Sequence, residues 1–179
     1  MLENFENKIK KKPEVLYHAS ANKEIGILEP RAIKTRDEDD GKVVFGTPDF
    51  KFALMFLNRE ADDRWTAKGI MNGRYYYLIS DKERFLESDN GGAVYYLKPD
   101  TFSTDLNKGM REKEWVSKEK VEPFKKDVVE SSLDLMAEKG IEIYFVDMEK
   151  INEFRQKSVS EKEKFLDSLS EFRYKKITT

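Results

Sequence analysis

Two short stretches hold the residues with the clearest capacity for chemistry. His18, in VLYHAS, is the only histidine of the chain, and an imidazole has an ordinary pKa near neutrality. Glu112 and Glu114, in REKEWVS, lie two apart on a predicted strand, so their side chains point to one face. Two such carboxylates repel unless a cation, a ligand hydroxyl or water compensates them, which predicts a raised pKa for one of them.

The composition excludes several classes of site. The chain of 179 residues has no cysteine and one histidine, which excludes disulfides, thiolate nucleophiles, Cys-based zinc sites and His-pair metal sites. Its 33 lysines and arginines nearly balance 35 acidic residues, so the whole chain has no general attraction for nucleic acid or anionic lipid. The P-loop and dinucleotide glycine fingerprints are absent.

No apolar run in the sequence approaches the ~18 residues of a membrane span, and the first residues lack the apolar segment of a secretory signal. We therefore expect a cytoplasmic protein without a membrane partner.

The elements that must position these side chains are mostly strands. Period-two and β-branched runs bounded by turn residues predict strands in EVLYH, KVVFGT, NGRYYYLIS, GGAVYYLKP, REKEWVS and IEIYFVD. The next run, KVEPFKKDVV, is interrupted by Pro123. Between the first two runs lies a long irregular connection, which is often a functional feature.

Helix signals lie on both sides of these strands. NFENKIKKK is predicted to end before Pro13, and a second helix is predicted to start with Thr47 as its cap and Pro48 in its first turn. ESSLDLMAEKG is predicted to be helical up to its final glycine, and a capping box of Ser160 and Glu163 predicts a last helix.

This order predicts an α+β fold, a single domain over residues 1–179. The amphipathic C-terminal helix, predicted over residues 158–176, is a candidate homodimer contact.

Three stretches, LYHAS, VFGTPDFKFALMFL and KEWVS followed by VEP, together resemble the ADP-ribosyltransferase fold in its diphtheria-toxin-like His/Tyr/Glu class. The resemblance covers residues 14–124 and implies a split, mainly antiparallel β core with flanking helices that binds NAD between two small sheets. It implies that His18 bonds the adenosine ribose and helps to hold the nicotinamide amide. It also implies that Glu114 bonds the 2′-hydroxyl of the nicotinamide ribose, where a carboxylate stabilises an oxocarbenium-like centre.

The resemblance also implies further site residues. Glu112 completes a Glu-x-Glu pair similar to that of the arginine-modifying class, and Thr47, in FGT, lies where that class has its Ser-Thr-Ser strand. Phe45 and Phe56 are candidates to stack on the cationic nicotinamide ring. Arg31, in LEPRAI, is a candidate for the pyrophosphate, with a surface salt bridge as the alternative. For the phenylalanines the alternative is core packing, and for the histidine it is an ordinary structural role.

The sequence departs from the family in one respect and leaves three functions open. No tyrosine lies between Tyr17 and Tyr75, so phenylalanines replace the motif tyrosine and supply no hydroxyl. The first function is NAD-dependent transfer of ADP-ribose to an unknown acceptor, or NAD hydrolysis. The second is a noncatalytic binding or regulatory protein with the same fold. The third is RNA 2′-phosphotransferase activity, which needs several arginines, with Arg31, Arg36 and Arg111 as candidates.

Overall fold

The structure is a computed structural model, and it describes residues 12–32, 41–58, 60–104 and 113–176. Within these ranges the strands are β1 Leu16–Ser20, β2 Arg31–Ala32, β3 Lys42–Gly46, β4 Thr66–Met71, β5 Arg74–Ile79, β6 Gly92–Leu97, β7 Trp115–Ser117, β8 Lys125–Val129 and β9 Glu142–Phe145. The helices are α1 Phe50–Leu54, α2 Lys82–Ser88, α3 Ser132–Glu138, α4 Met148–Gln156 and α5 Val159–Ser168, followed by a 3₁₀ turn at Ser170–Phe172.

The strands form three sheets of three strands each. Their orders are β1-β6-β8, β2-β3-β7 and β4-β5-β9. All the pairs are antiparallel except β5 with β9, which run parallel. The predicted α+β class with a mainly antiparallel β content is therefore confirmed for the described part of the chain. No described helix is long and apolar enough to cross a membrane.

The hairpin of β4 and β5 contains a strand that the sequence analysis did not predict. Asn72 and Gly73 connect the strands with φ values of 47° and 80°, the left-handed pair that a tight two-residue turn requires. Met71 lies opposite Arg74 and the pairing continues to Thr66 opposite Ile79. The turn signal was thus present in the sequence, but the preceding run TAKGIM has little of the expected strand character.

Three apolar clusters hold these layers together. The first lies between α1, α3 and the sheet of β4, β5 and β9, and includes Phe52, Leu54, Leu57, Tyr77, Phe85 and Met136. The second lies at β1, β3, β6 and β7, and includes Leu16, Val44, Tyr95, Leu97, Phe102 and Trp115. The third lies under α4 and α5, and includes Leu78, Tyr144, Ile151, Phe154, Leu166 and Leu169.

The predicted start of α1 at Thr47 is wrong. The helix is capped by Asp49, whose Oδ1 accepts the Phe52 N–H at 3.0 Å, and it ends at Leu54. Thr47 is unavailable as a cap because its N–H and C=O both bond Tyr17, at 2.9 and 2.7 Å. These strand-type bonds use the carbonyl that a capping residue offers to its own helix.

The predicted capping box of the last helix is also wrong. Ser158 and Glu161 form it, with the Ser158 N–H donating to Glu161 Oε2 at 2.9 Å, and α5 ends at Ser168 rather than continuing to residue 176. Leu166 and Leu169 lie in the third cluster. The apolar face of α5 is thus buried against its own chain. The helix predicted before Pro13 lies outside the described residues.

Candidate functional site

Within the described ranges, two of the sheets meet at one isolated bridge. Tyr17 in β1 and Thr47, just after β3, exchange both backbone hydrogen bonds, and this bridge joins the sheet of β1, β6 and β8 to that of β2, β3 and β7. We call the junction of residues 16–20 with residues 45–47 the seam. Gly46 pairs with Trp115 on the other side of β3. The seam therefore lies beside β7, whose first residue follows Glu114.

His18 extends the contact across the seam with its side chain. Its Nδ1 lies 2.8 Å from the carbonyl oxygen of Phe45. A carbonyl only accepts hydrogen bonds, so Nδ1 carries the proton and Nε2 of the neutral ring is an acceptor. Burial lowers the pKa of His18, the bond to Phe45 opposes this change, and the charge of Arg31 adds to it. The imidazole is therefore neutral at pH 7 and has one ring nitrogen for a ligand hydroxyl.

The strand faces separate this imidazole from the aromatic rings. Leu16 lies in the second cluster, whereas Tyr17 and Phe45 pack against the first. Because side chains alternate along a strand, His18 shares the face of Leu16 and not that of Tyr17. The imidazole thus meets Phe45 through its main chain. A ligand that contacts both the imidazole and the phenylalanine rings has to reach both faces of the seam.

Phe45 and Phe56 form an aromatic group in which one ring is accessible. Their ring centroids are 6.5 Å apart, and Phe56 also packs edge-on against Phe52 at 5.1 Å. Phe56 is 43% exposed, but the ammonium of Lys68 lies 4.6 Å from its ring centre. The predicted stacking position on Phe56 is therefore partly used by a cation of the chain itself.

Glu114 lies immediately before β7, not within it. Gly46 is opposite Trp115, and continuing this register by one position aligns Thr47 with Glu114. The main-chain oxygen of Glu114 accepts a hydrogen bond from Thr104 Oγ1 at 2.7 Å. Glu112 lies outside the described residues, so the prediction that both carboxylates share one face stays a prediction.

Thr47 and Arg31 have contrasting surroundings. Thr47 is buried, and its Oγ1 accepts the Asp49 N–H at 3.1 Å, so its hydroxyl orders the turn into α1. Arg31 is exposed on β2, opposite Val43, and is open to a ligand anion. The other two candidate arginines, at positions 36 and 111, lie outside the described residues.

The site also contains a buried carboxylate, Asp49, that was not predicted from the sequence; its ion-pair partner Lys113 is the residue before Glu114. The side chain of Asp49 is 8% exposed, and its Oδ2 accepts from Tyr75 Oη and from Lys113 Nζ, each at 2.5 Å. Burial raises the pKa of Asp49, but the hydrogen bonds from Lys113, Tyr75 and the Phe52 N–H outweigh it, and the net pKa is lowered. Burial and the contact with Asp49 raise the pKa of Tyr75 to about 12. Tyr75 is therefore a neutral hydrogen-bond donor.

This cluster ties the residue next to Glu114 to the start of α1. Only Asp49 had a local signal, because an aspartate just before a helical run is a preferred cap. Tyr75 and Lys113 lie 26 and 64 residues from Asp49 in sequence, and no local pattern indicates such contacts. Comparison of the chain with protein-family models, curated proteins and solved structures gives no match.

Proposed function

We propose that this chain binds NAD at the seam and breaks the bond between nicotinamide and ribose, transferring ADP-ribose to an acceptor or to water. The observation that carries the proposal is that the main chains of three separate motifs meet on β3, with the His18 side chain on one face of the seam and the Phe45 and Glu114 side chains on the other. His18 bonds the Phe45 carbonyl, and Phe45 pairs with Val116, two residues after Glu114. Both the motif order and the strand pairing therefore support NAD binding at the seam.

The imidazole serves the adenosine half of the ligand in this proposal. Neutral His18 offers Nε2 as an acceptor for a ribose hydroxyl, since its Nδ1 is used by Phe45. A proton-transfer role is not needed, and the lowered pKa of His18 favours the form that accepts. The exposed guanidinium of Arg31 is the pyrophosphate partner, because its planar fork matches two phosphate oxygens.

Glu114 serves the nicotinamide half. As the C–N bond breaks, its electron pair leaves with nicotinamide and positive charge develops on the ribose, where a carboxylate on the 2′-hydroxyl stabilises it. Water or an acceptor nucleophile then bonds the ribose carbon and gives up a proton. The ion pair of Lys113 with Asp49 restrains the neighbouring main chain, and a fixed position is what electrostatic stabilisation requires.

NAD binding without turnover is the second candidate, and one observation favours it. The rings at the position of the motif tyrosine are phenylalanines, and the exposed one, Phe56, has Lys68 over its face. A ring with a cation already against it is a poor partner for a cationic nicotinamide. Affinity for NAD would then persist while the chemical step fails.

The test combines NAD titration by calorimetry with nicotinamide release measured by chromatography, on the full chain. We expect Glu114→Gln to keep NAD affinity within a few-fold and to lose about 10²–10³-fold in release, the effect of removing one electrostatic stabiliser. We expect His18→Ala to weaken NAD binding at least about 10-fold. This change corresponds to ~1.4 kcal/mol of binding free energy, close to the contribution of one hydrogen bond. Glu83→Gln, an exposed change on α2, is the matched control.

The outcomes separate the candidates. Binding that depends on His18 without any nicotinamide release selects the noncatalytic candidate. The absence of NAD binding at millimolar concentration, with no NAD-induced rise in melting temperature for the unmodified chain, overturns both.

A further inference from the structure

A cavity of about 530 Å³ lies away from the seam, where the C-terminal segment 171–176 crosses the structure. The start of α2, the first turn of α3 and the end of β9 form its other walls, through Lys82, Asp134 and Phe145. The residues of the seam that the proposed function uses do not line it. Its volume falls in the range of ~300–1,000 Å³ that holds small ligands.

One wall of this cavity is aromatic and held in place. The Phe145 and Tyr174 rings pack edge to face, with centroids 6.1 Å apart and an angle of 88° between their planes. The Tyr174 N–H donates to the Ile143 carbonyl, and its hydroxyl donates to Asp134 Oδ1, both at 2.8 Å. A ring fixed by main chain and hydroxyl together loses little freedom when a ligand stacks on it.

The other lining is mainly cationic. The lining has four basic side chains and two carboxylates. They are Lys82, Arg173, Lys175 and Lys176, with Asp134 and Glu171. Asp134 is engaged by the Tyr174 hydroxyl, and Lys176 pairs with Glu138 outside the lining. Within the described residues, neither Lys82 nor Lys175 forms an ion pair with a carboxylate. In a chain with a net charge of −2, this local excess of cations marks a place for an anion.

The ammonium of Lys82 lies 5.4 Å from the centre of the Phe145 ring, which leaves the Tyr174 ring as the stacking surface. We propose that this cavity binds a nucleotide, with the base against the Tyr174 ring and the phosphate between Lys82 and Lys175. The combination of ring faces and cations selects this class, because an inorganic anion uses only the lysines and an uncharged aromatic molecule uses only the rings. A free mononucleotide and the end of a single-stranded RNA present the same chemistry. The proposal does not depend on NAD binding at the seam.

The test measures binding of AMP, adenosine, inorganic phosphate and a short single-stranded RNA to the full chain by calorimetry. We expect AMP to bind at least about 10-fold more tightly than adenosine or phosphate. Lys82→Glu with Lys175→Glu reverses two lining charges, and we expect it to weaken AMP binding at least 10-fold. Lys118→Glu with Lys164→Glu makes the same charge change at two exposed lysines outside the lining and should leave AMP binding unchanged.

Two further comparisons locate and identify the ligand. His18→Ala should leave AMP binding unchanged; if it abolishes this binding, AMP occupies the seam and the cavity proposal is overturned. RNA binding tighter than AMP binding, with a steep salt dependence that Lys82→Glu reduces, assigns the nucleotide to a strand. Equal affinity for AMP and RNA assigns a single nucleotide. No binding of either at millimolar concentration, or equal loss in the test and control variants, contradicts the proposal.

Discussion

The seam and the sheet of β4, β5 and β9 differ in how many backbone pairs join their strands. At the seam, β1 and β3 share the two backbone bonds of one bridge, and the side chain of His18 supplies a further contact. In the other sheet, six residue pairs connect β4 to β5 and four connect β5 to β9. The seam therefore depends on a few polar contacts, whereas the sheet depends on a continuous ladder and its packing.

The ion pairs also differ between the sheet and the region of the seam. In the sheet, Arg74 bonds both carboxylate oxygens of Glu142, at 3.0 and 2.8 Å, and also reaches Asp167 on α5 at 2.9 Å. This two-pronged contact fastens neighbouring strands and a helix together. At the seam, the pair of Asp49 and Lys113 lies next to a candidate catalytic glutamate. We therefore expect substitutions in the sheet to change stability more than ligand binding. We expect substitutions at the seam to change ligand binding more than stability.

The largest effect on stability is expected from the third cluster. Phe154 is 2% exposed and lies 5.0 Å from the Tyr76 ring and 6.0 Å from the Phe165 ring. We expect Phe154→Ala to lower the free energy of unfolding by about 3–5 kcal/mol, because it leaves a cavity in the core. The matching change near the seam is Phe56→Ala, at a ring that packs on Phe45 and is 43% exposed, and it should cost less than about 1.5 kcal/mol. Urea denaturation measures both, and equal losses would contradict the proposed division.

An intermediate loss in the free energy of unfolding is expected from substitution of Asp49. Asp49→Asn removes the charge that pairs with Lys113, and we expect a loss of about 2 kcal/mol at pH 7, reduced by the partial exposure of Lys113. Tyr75→Phe removes one hydrogen-bond donor only and should lower the free energy of unfolding by about 1 kcal/mol.

The contribution of Asp49 depends on pH. Because the pKa of Asp49 is lowered in the folded state, its stabilisation is complete above about pH 4 and is lost as the pH falls through the folded pKa. A difference between Asp49→Asn and the unmodified chain that does not shrink as the pH falls below about 4 would refute this assignment.

The smallest effect is expected from the titration of His18. As the only histidine, it gives a single set of imidazole signals in NMR, and we expect a pKa below 6.5 with the proton on Nδ1. The unfolded chain then binds a proton more readily, so stability falls slightly as the pH drops from about 6.5 to the folded pKa. His18→Gln should remove that contribution. A neutral ring with its proton on Nε2 would show that the bond to Phe45 is absent.

Much of the element order was predictable from local patterns. Strands were predicted at the positions of β1, β3, β5, β6, β7 and β9, and the helix of α3 was predicted up to its final glycine, because alternation and glycine breaks act over a few residues. The start of α1 was misplaced because the bond that disqualifies Thr47 comes from Tyr17, 30 residues away in sequence. Similarly, two overlapping capping-box patterns lie at the start of α5, and the local pattern does not choose between them; the box that forms is Ser158 with Glu161.

The candidate site was predictable in part, for the same reason. His18 and Glu114 became candidates through residue type and motif order, and their role in a site stays a prediction, while Asp49, Tyr75 and Lys113 come together only through tertiary contacts. By itself the sequence determined the residue types available for chemistry, the α+β class and most strands, since these depend on composition and short-range periodicity. The tertiary structure decided which strands meet at the seam, that Nδ1 of the imidazole bonds a main-chain carbonyl, and that a basic and aromatic cavity forms at the C-terminal segment. Those features depend on contacts between distant residues, which local patterns do not contain.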